Sequence, residues 1–422
     1  MIIFLLRGLL RDHHRSLFPV LIVSIGVTLT VVMQSWMTGV FSDMIEFSAK
    51  FTTGHIRIMS NGYQQNMDQI PNDYALSDIS KLIDNLNNDY SKISWAKRIK
   101  FGGLVDIPDR KGETRIQGPV LGMAIDLLSK NSLEPDRLNL KKSLKRGNLP
   151  SQSSEILISE KFSQKLEVNP GDVATVISST MYGSLAINNF TISGTIEFGS
   201  NAMDNGAVII DIIDAQKILN MDDATGELLG YLPGNYNQEK ASQIVNSFNK
   251  KYNDPEDEFS PIMLSIADDK FLGTYIEYVD SFSGILIFVF LLIMSIVLWN
   301  SGLLGSLRRY SEVGVRLAIG ENKNHIYISM LTESLFIGIF GSFIGTAIGL
   351  FFSYLLSRGI DMSALMKTST VMMPGVFRGA INSQTFYIGF IPGLFSTALG
   401  TMLAGIGIYK RQTAELFKEL EA

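Results

Sequence analysis

Few residues in this sequence could do chemistry, and each is better explained another way. The four histidines, His13, His14, His55 and His325, have no ligand spacing with carboxylates, so they are expected in loops or interfaces rather than in a metal or acid–base site. Cysteine is absent, which removes thiolate metal sites, disulfides and lipidated-cysteine anchoring. The acidic run NDPEDEF (253–259) lacks the glycine and the alternating oxygen ligands of an EF-hand loop and reads as a solvated acidic loop. No G-x-S-x-G, H-E-x-x-H or paired-carboxylate pattern occurs, and no G-x-x-x-x-G-K-[ST], so these residues cannot cradle nucleotide phosphates. The reading is a non-catalytic chain with no cofactor or metal of its own. What stands out is the charged stretch RRYSEVGVRLAIG (308–320) between two long apolar runs. Its chemistry is electrostatic docking. If the protein uses ATP, a separate ATPase subunit must hold it and dock on a surface such as 305–325.

The elements around that stretch are apolar. The chain has 422 residues, is 46% hydrophobic and has a mean hydropathy of +0.19, values that split it between water and membrane. Counted between charged residues, 16–42 gives 27 uncharged positions, 281–307 gives 27, 334–357 gives 24 and 379–409 gives 31. A helix needs roughly 20 apolar residues to cross about 30 Å of hydrocarbon, so four spans are predicted. The start MIIFLLRGLLRDHHRS has the basic character of a signal peptide. The apolar run after it is longer than a signal h-region and no small-residue cleavage site closes it, so it is read as a retained first helix. Arg7, Arg11 and Arg15, then Arg308, Arg309, Arg316 and Lys323, then Lys410, Arg411 and Lys418 mark three segments as cytoplasmic, with both termini inside. Lys367 and Arg378 on the opposite side weaken this bias without reversing it.

The predicted organisation is therefore a cytoplasmic amphipathic segment (1–15), helix 1 (16–42), a large extracytoplasmic domain (43–280), helix 2 (281–307), a cytoplasmic coupling segment (308–325), helix 3 (326–357), a short outer loop (358–384), helix 4 (385–409) and a cytoplasmic tail (410–422). The fold class is an α+β membrane protein: four transmembrane helices with a mixed α/β domain inserted between the first and second. That domain has 33 acidic and 23 basic residues, a net of −10, which argues against nucleic acid as a partner. GHIRIMS (54–60), EILIS (155–159), DVATVIS (172–178), NFTISGTIEF (189–198) and GAVIIDI (206–212) are strand candidates. ALSDISKLIDNLNND (75–89) places Leu76, Ile79, Leu82, Ile83 and Leu86 on one helical face, while DAQKIL and QEKASQIVNSFNKKY suggest two more helices. Asn169-Pro170-Gly171-Asp172 reads as a turn.

Within the spans, Gly341, Gly345 and Gly349 form G-x-x-x-G-x-x-x-G, a surface for close helix packing, with the fourth span as the expected partner. Glu333 is either a functional intramembrane acid or an interfacial partner of Arg316 or Lys323; the sequence leaves both open. Thr28, Thr30, Gln34 and Ser35 on the first span and Ser295, Asn300 and Ser301 on the second are candidates to line a cavity, and helix-to-helix hydrogen bonding explains them equally.

The run SLRRYSEVGVRLAIGENKNHIYISMLTESLFIGIFGSFIGTAIG (306–349) resembles the signature of the FtsX-like permeases: an arginine-rich start, Glu-x-Gly, Arg-x-x-x-Gly, then a Glu entering a glycine-rich helix. EILISEKFSQKLEVNPGDVATV (155–176), FTISGTIE (190–197) and the basic tail YKRQTAELFKEL (409–420) are similar to other parts of that family, so the resemblance covers most of the chain. TTGHIRIMSNGY (52–63) and GPVLGMAIDLLSK (118–130) look most like its lipoprotein-releasing LolC/LolE branch. The resemblance implies a permease subunit of a type VII ABC transporter in the bacterial inner membrane. Such a subunit is dimeric, with a second copy or a paralogue, and is driven by a separate ATPase dimer that binds the ATP and Mg. It also implies mechanotransmission, in which ATP-driven motion crosses the membrane to the outer domain. The substrate would be lipid-anchored or hydrophobic, contact with membrane lipid is expected, and a periplasmic carrier would accept the cargo. MacB-like efflux and FtsX-like regulation of a cell-wall hydrolase are the alternatives. Carried over residue by residue, Arg308, Arg309, Glu312, Gly314, Arg316 and Gly320 would couple to the ATPase. Asn322 and Asn324 depart from the small residues usual after that glycine, which puts the detailed fit to an ATPase groove in question.

Overall fold

The computed structural model describes residues 13–109, 111–198, 201–234, 236–269, 273, 281–282, 284–297, 299, 315–361 and 376–410. They divide into two compact units. One lies within 42–276; the other consists of α1 up to Phe41 with the described parts of 277–361 and 376–422.

The helical unit is built from α1 (His13–Ser48), an apolar helix α4 (Gly284–Val297), α5 (Lys323–Leu356) and α6 (Phe390–Lys410). Among the described residues three helical stretches are long and apolar enough to cross a membrane, Leu17–Thr53, Lys323–Leu356 and Ser383–Gly405. Of the predicted second span, 281–307, residues 281–282, 284–297 and 299 are described, and Gly284–Val297 is an apolar helix, α4. The first helix is longer than its apolar run: α1 continues to Ser48 and is extended by a wide turn, Ala49–Thr53.

The inserted domain opens with β1 (Ile56–Ser60), followed by α2 (Ile79–Asp89), β2 (Ser94–Pro108), β3 (Thr114–Ile125), β4 (Leu144–Gly147), β5 (Glu155–Ser159), β6 (Val173–Ser179), β7 (Leu185–Ile196), β8 (Ala207–Asp211), β9 (Glu227–Tyr231), α3 (Gln238–Tyr252) and β10 (Pro261–Ser265). The strand order is β10-β1-β9-β2-β3-β8-β5-β7-β4, with β6 pairing both β2 and β7. The long β2 ties the domain together: its Ser94–Arg98 end pairs with β9, while Ile99–Pro108 pair with β3 and Gly103–Asp106 with β6. Because β6 returns to β2, the strands β2-β3-β8-β5-β7-β6 close into a six-membered ring. Closure leaves these strands without a free edge along the paired stretches.

Burial explains the strand sequences. EILIS and AVIID read as continuous apolar runs because both faces of β5 and β8 are covered. Ile156, Ile158, Val208 and Ile210 join Phe101, Val105, Phe162 and Phe190 on one face. Leu157 and Ile209 join Met123, Leu138 and Leu140 on the other. A second core gathers Ile56, Ile58, Leu76, Ile79, Leu86, Leu228, Val245, Phe248 and Met263, where α2 and α3 cover β1, β9 and β10. Each such side chain contributes about 1.5–3 kcal/mol on burial. The Asn169–Asp172 turn forms as predicted, with Gly171 at φ +100.

Candidate functional site

Three places could carry motion through such a chain: the turn before α5, the seams between the long helices, and the root of α1 in the inserted domain.

At the turn, Arg308, Arg309, Glu312 and Gly314 lie outside the described residues, as does Asn300. Arg316 and Gly320 are described. Gly320 stops the short helical segment before it in a Schellman cap: its N–H reaches Leu317 O at 3.1 Å, the Glu321 N–H reaches Arg316 O at 3.0 Å, and Gly320 takes φ +95. The next helix starts at once, with the Asn322 side chain accepting from the Asn324 N–H at 3.2 Å. Glu321, which sequence reading passed over, stands 3.8 Å from the Arg316 guanidinium and 2.7 Å from His325 Nδ1. The four-residue spacing to His325 on a helix start was the available signal. Arg316 thus sits with Glu321; Glu333 is half-buried on α5, ten residues after the helix starts at Lys323.

At the seams, the glycine stripe faces the first helix instead of the fourth. A Cβ on Gly341, Gly345 or Gly349 would stand 2.7 Å from the Cβ of Val23, Val27 or Val31 respectively, so only glycine permits this approach. Hydroxyls reinforce the same seam: Ser24 Oγ donates to Gly341 O at 3.2 Å and Thr28 Oγ1 to Gly345 O at 3.1 Å. The fourth helix packs on a neighbouring face of α5, where a Cβ on Gly338 would meet Thr397 Oγ1 at 2.6 Å and Gly393 O at 3.2 Å. The direction of a helical stripe is set by the neighbours available, which the spacing of its glycines cannot reveal.

The polar candidates divide accordingly. Thr28 belongs to the α1–α5 seam. Thr30 bonds back to Gly26 O at 2.9 Å and Ser295 to Leu291 O at 2.7 Å, each within its own helix. Ser35 is fully buried beside Gly379, and its backbone carbonyl accepts from the Ala380 N–H at 2.9 Å. Thr30 and Gln34 line a small void with Met33, Met37, Leu286, Ile287 and Phe290, where α1 meets α4. At about 10 Å³ it barely admits a water and cannot take an acyl chain.

The root of α1 gathers several buried polar side chains of the inserted domain, and the sequence did not single it out. His55 is buried; its Nδ1 accepts from the Leu232 N–H at 3.0 Å, which assigns the ring proton to Nε2, 3.1 Å from Glu46 Oε2. Beside it, Arg98 on β2 is completely buried and reaches the carbonyls that end the α1 extension, Phe51 O at 2.8 Å and Lys50 O at 3.3 Å. Its other Nη donates to Glu134. Glu134 also accepts from Arg137 at 2.9 Å, and Arg137 donates to Ser94 Oγ at 2.6 Å while lying 3.9 Å over the Tyr231 ring. Burial pushes the Tyr231 phenol up to about 12, so it stays neutral. In the sequence, Arg98 sits in SWAKRIK, which looks like a solvated basic run, and Glu134 lies 36 residues away.

Comparisons with known proteins identify the family. The family model "MacB-like periplasmic core domain" matches residues 16–247, more than half the chain, and "FtsX-like permease C-terminal" matches 284–413. The chain belongs to the FtsX/MacB-type family of ABC transporter permeases, with a resemblance to LolC. The lipoprotein-releasing system transmembrane protein LolC of Xylella fastidiosa is 23% identical over 253 residues, 58% of this chain and 54% of that protein. The macrolide export ATP-binding/permease protein MacB of Bdellovibrio bacteriovorus is 30% identical over 91 residues, 22% of this chain and 14% of that protein. The chain thus spans about half the length of this LolC and far less of this MacB. The periplasmic region of MacB from Actinobacillus actinomycetemcomitans aligns with 53% of this chain and 92% of its own at 13% identity and a TM-score of 0.34, a likeness that carries no argument.

Proposed function

We propose that this chain is the membrane subunit of an ATP-driven transporter that works by mechanotransmission and releases lipid-anchored proteins from the bacterial inner membrane to a periplasmic carrier. The observation that carries the choice of substrate is the length of the LolC match, 253 residues against 91 for MacB. In this reading 281–307 is a fourth span, both termini are cytoplasmic and the inserted domain is periplasmic. The ATP and Mg are held by a separate ATPase dimer docked on the 308–320 segment. The void between α1 and α4 is too small for lipid chains. The exposed apolar faces of α1 (Leu21, Ile25, Leu29) and α4 (Ile285, Leu292, Ile296) are available to lipid and to a second permease copy or paralogue. An acyl-chain cavity is therefore assigned to the space between two copies. MacB-like efflux is the second reading, favoured by the periplasmic-core match over 16–247.

The test is release from lipid nanodiscs holding the chain, its co-encoded ATPase and a triacylated lipoprotein. ATP is expected to transfer the lipoprotein to a soluble carrier, and Glu312→Lys to abolish transfer while ATP turnover persists. ATP turnover without any release from the unmodified protein would move the assignment to efflux or regulation. Unchanged release in Glu312→Lys would remove that residue from the coupling segment.

A further inference from the structure

We propose that Arg98 is a positioning residue for transport: it locks the end of the first membrane helix to the inserted domain, so that displacement of the helix becomes displacement of the domain. The inference rests on the mechanotransmission reading, but its structural half can be measured without it.

A helix end leaves its last carbonyls without partners in the helix, and the dipole concentrates negative potential there. In this chain the extension of α1 ends at Ala49–Thr53, and Arg98 covers two of its carbonyls, Lys50 O and Phe51 O, from within the domain. Flexible contacts would let the helix end swivel. Here the guanidinium is planar, charged and wholly buried, and its second Nη is held by Glu134. Glu134 is in turn held by Arg137, which is fixed to Ser94 on the same strand as Arg98 and to the Tyr231 ring on β9. The Tyr231 hydroxyl lies 3.5 Å from Lys50 O. The contacts thus run from the helix end to β2, to the 134–137 turn and to β9. A buried ion pair is a poor source of stability compared with apolar packing, so what the Arg98–Glu134 pair supplies at this joint is fixed geometry. A second pair on the same strand, Lys100 with Glu227 at 2.9 Å, ties β2 to β9 and serves as the control.

The chain lacks cysteine, so spin labels at Ser42→Cys on α1 and Lys141→Cys in the domain report one distance cleanly. In the full-length protein that distance distribution is expected to be narrow, to broaden in Arg98→Met, and to stay narrow in Lys100→Met. In nanodiscs with the ATPase and the triacylated lipoprotein, Arg98→Met is expected to keep ATP turnover and lose release, with Lys100→Met keeping both. Arg98→Lys, which retains the charge but not the fork, should broaden the distribution less and restore part of the release. It also stands in if Arg98→Met does not fold. A distribution unchanged by substitution at Arg98 overturns the proposal, and so does full release from a protein whose distribution has broadened. Absence of release from the unmodified protein, with the label result as expected, would count against lipoprotein release while leaving the joint in place.

Discussion

The two units solve the same packing problem with opposite materials. The inserted domain is filled by large side chains, Phe101, Phe162, Phe190 and Phe248 among them, each nearly or fully buried. The helical unit brings its helices together through Gly341, Gly345, Gly349 and Gly338, with Ser24, Thr28 and Thr397 at the contacts. In water, burying bulk is what drives association. Between apolar helices in lipid a large side chain gains little by leaving its surroundings, and close backbone approach with hydrogen bonds to carbonyls matters more. The difference teaches that a glycine here is as much a core residue as a phenylalanine there.

Tryptophans allow that contrast to be tested unit by unit, since Trp95 lies in the inserted domain and Trp36 and Trp299 in the helical unit. The largest effect is expected from Phe162→Ala, about 3–5 kcal/mol of destabilisation from a fully buried ring, seen as a lower melting temperature by Trp95 emission. Gly345→Val comes next, at about 1–3 kcal/mol, because its Cβ would meet Ser24 O at 2.6 Å as well as Val27. That loss should appear in the emission of Trp36 and Trp299 in a Trp95→Phe background. If Gly345→Val leaves that transition in place, the close α1–α5 contact is mistaken. Gly320→Ala should cost about 1 kcal/mol through its positive φ, read as weaker protection of amide exchange at the start of α5.

The smallest effect is a pH dependence in the inserted domain. Burial raises the Glu160 carboxyl, but hydrogen bonds from Thr195, Arg146 and Gln164 outweigh it and hold the group below the usual carboxylate range. A carboxyl lower in the folded than in the unfolded state stabilises fully above the unfolded value, and that contribution disappears as pH falls through the folded one. Thr195→Val should therefore lower the Trp95-detected melting temperature above about pH 5 and converge with the unmodified protein in acid. A constant difference across the range would show that the hydroxyl acts by packing alone.

Much of this architecture was legible in the chain. Runs without charge announce long apolar helices because exclusion of charge acts residue by residue, and α1, α5 and α6 lie where those runs fall. EILIS, DVATVIS and GAVIIDI announce strands because alternation or continuous β-branched runs are local properties. β2 and β3 were not legible: Lys97, Arg98, Lys100, Gly102, Gly103 and Pro119 obscure any alternation, and their pairing is with distant strands. The 306–349 signature named the family, yet its own coupling residues say little about the joint at the other end of the first helix.

Composition and spacing by themselves determined that this chain is part membrane and part α/β domain, that it contains no nucleotide cradle in these residues, and that a glycine stripe on α5 would meet another helix. Only the tertiary structure decided that the stripe meets Val23, Val27 and Val31, that six strands close on themselves, and that Arg98 is buried against a helix end. The reason is physical. Periodicity fixes which residues share a face, but what lies opposite that face is chosen by parts of the chain far away, and a charged side chain can be buried only where a distant partner such as Glu134 arrives to meet it.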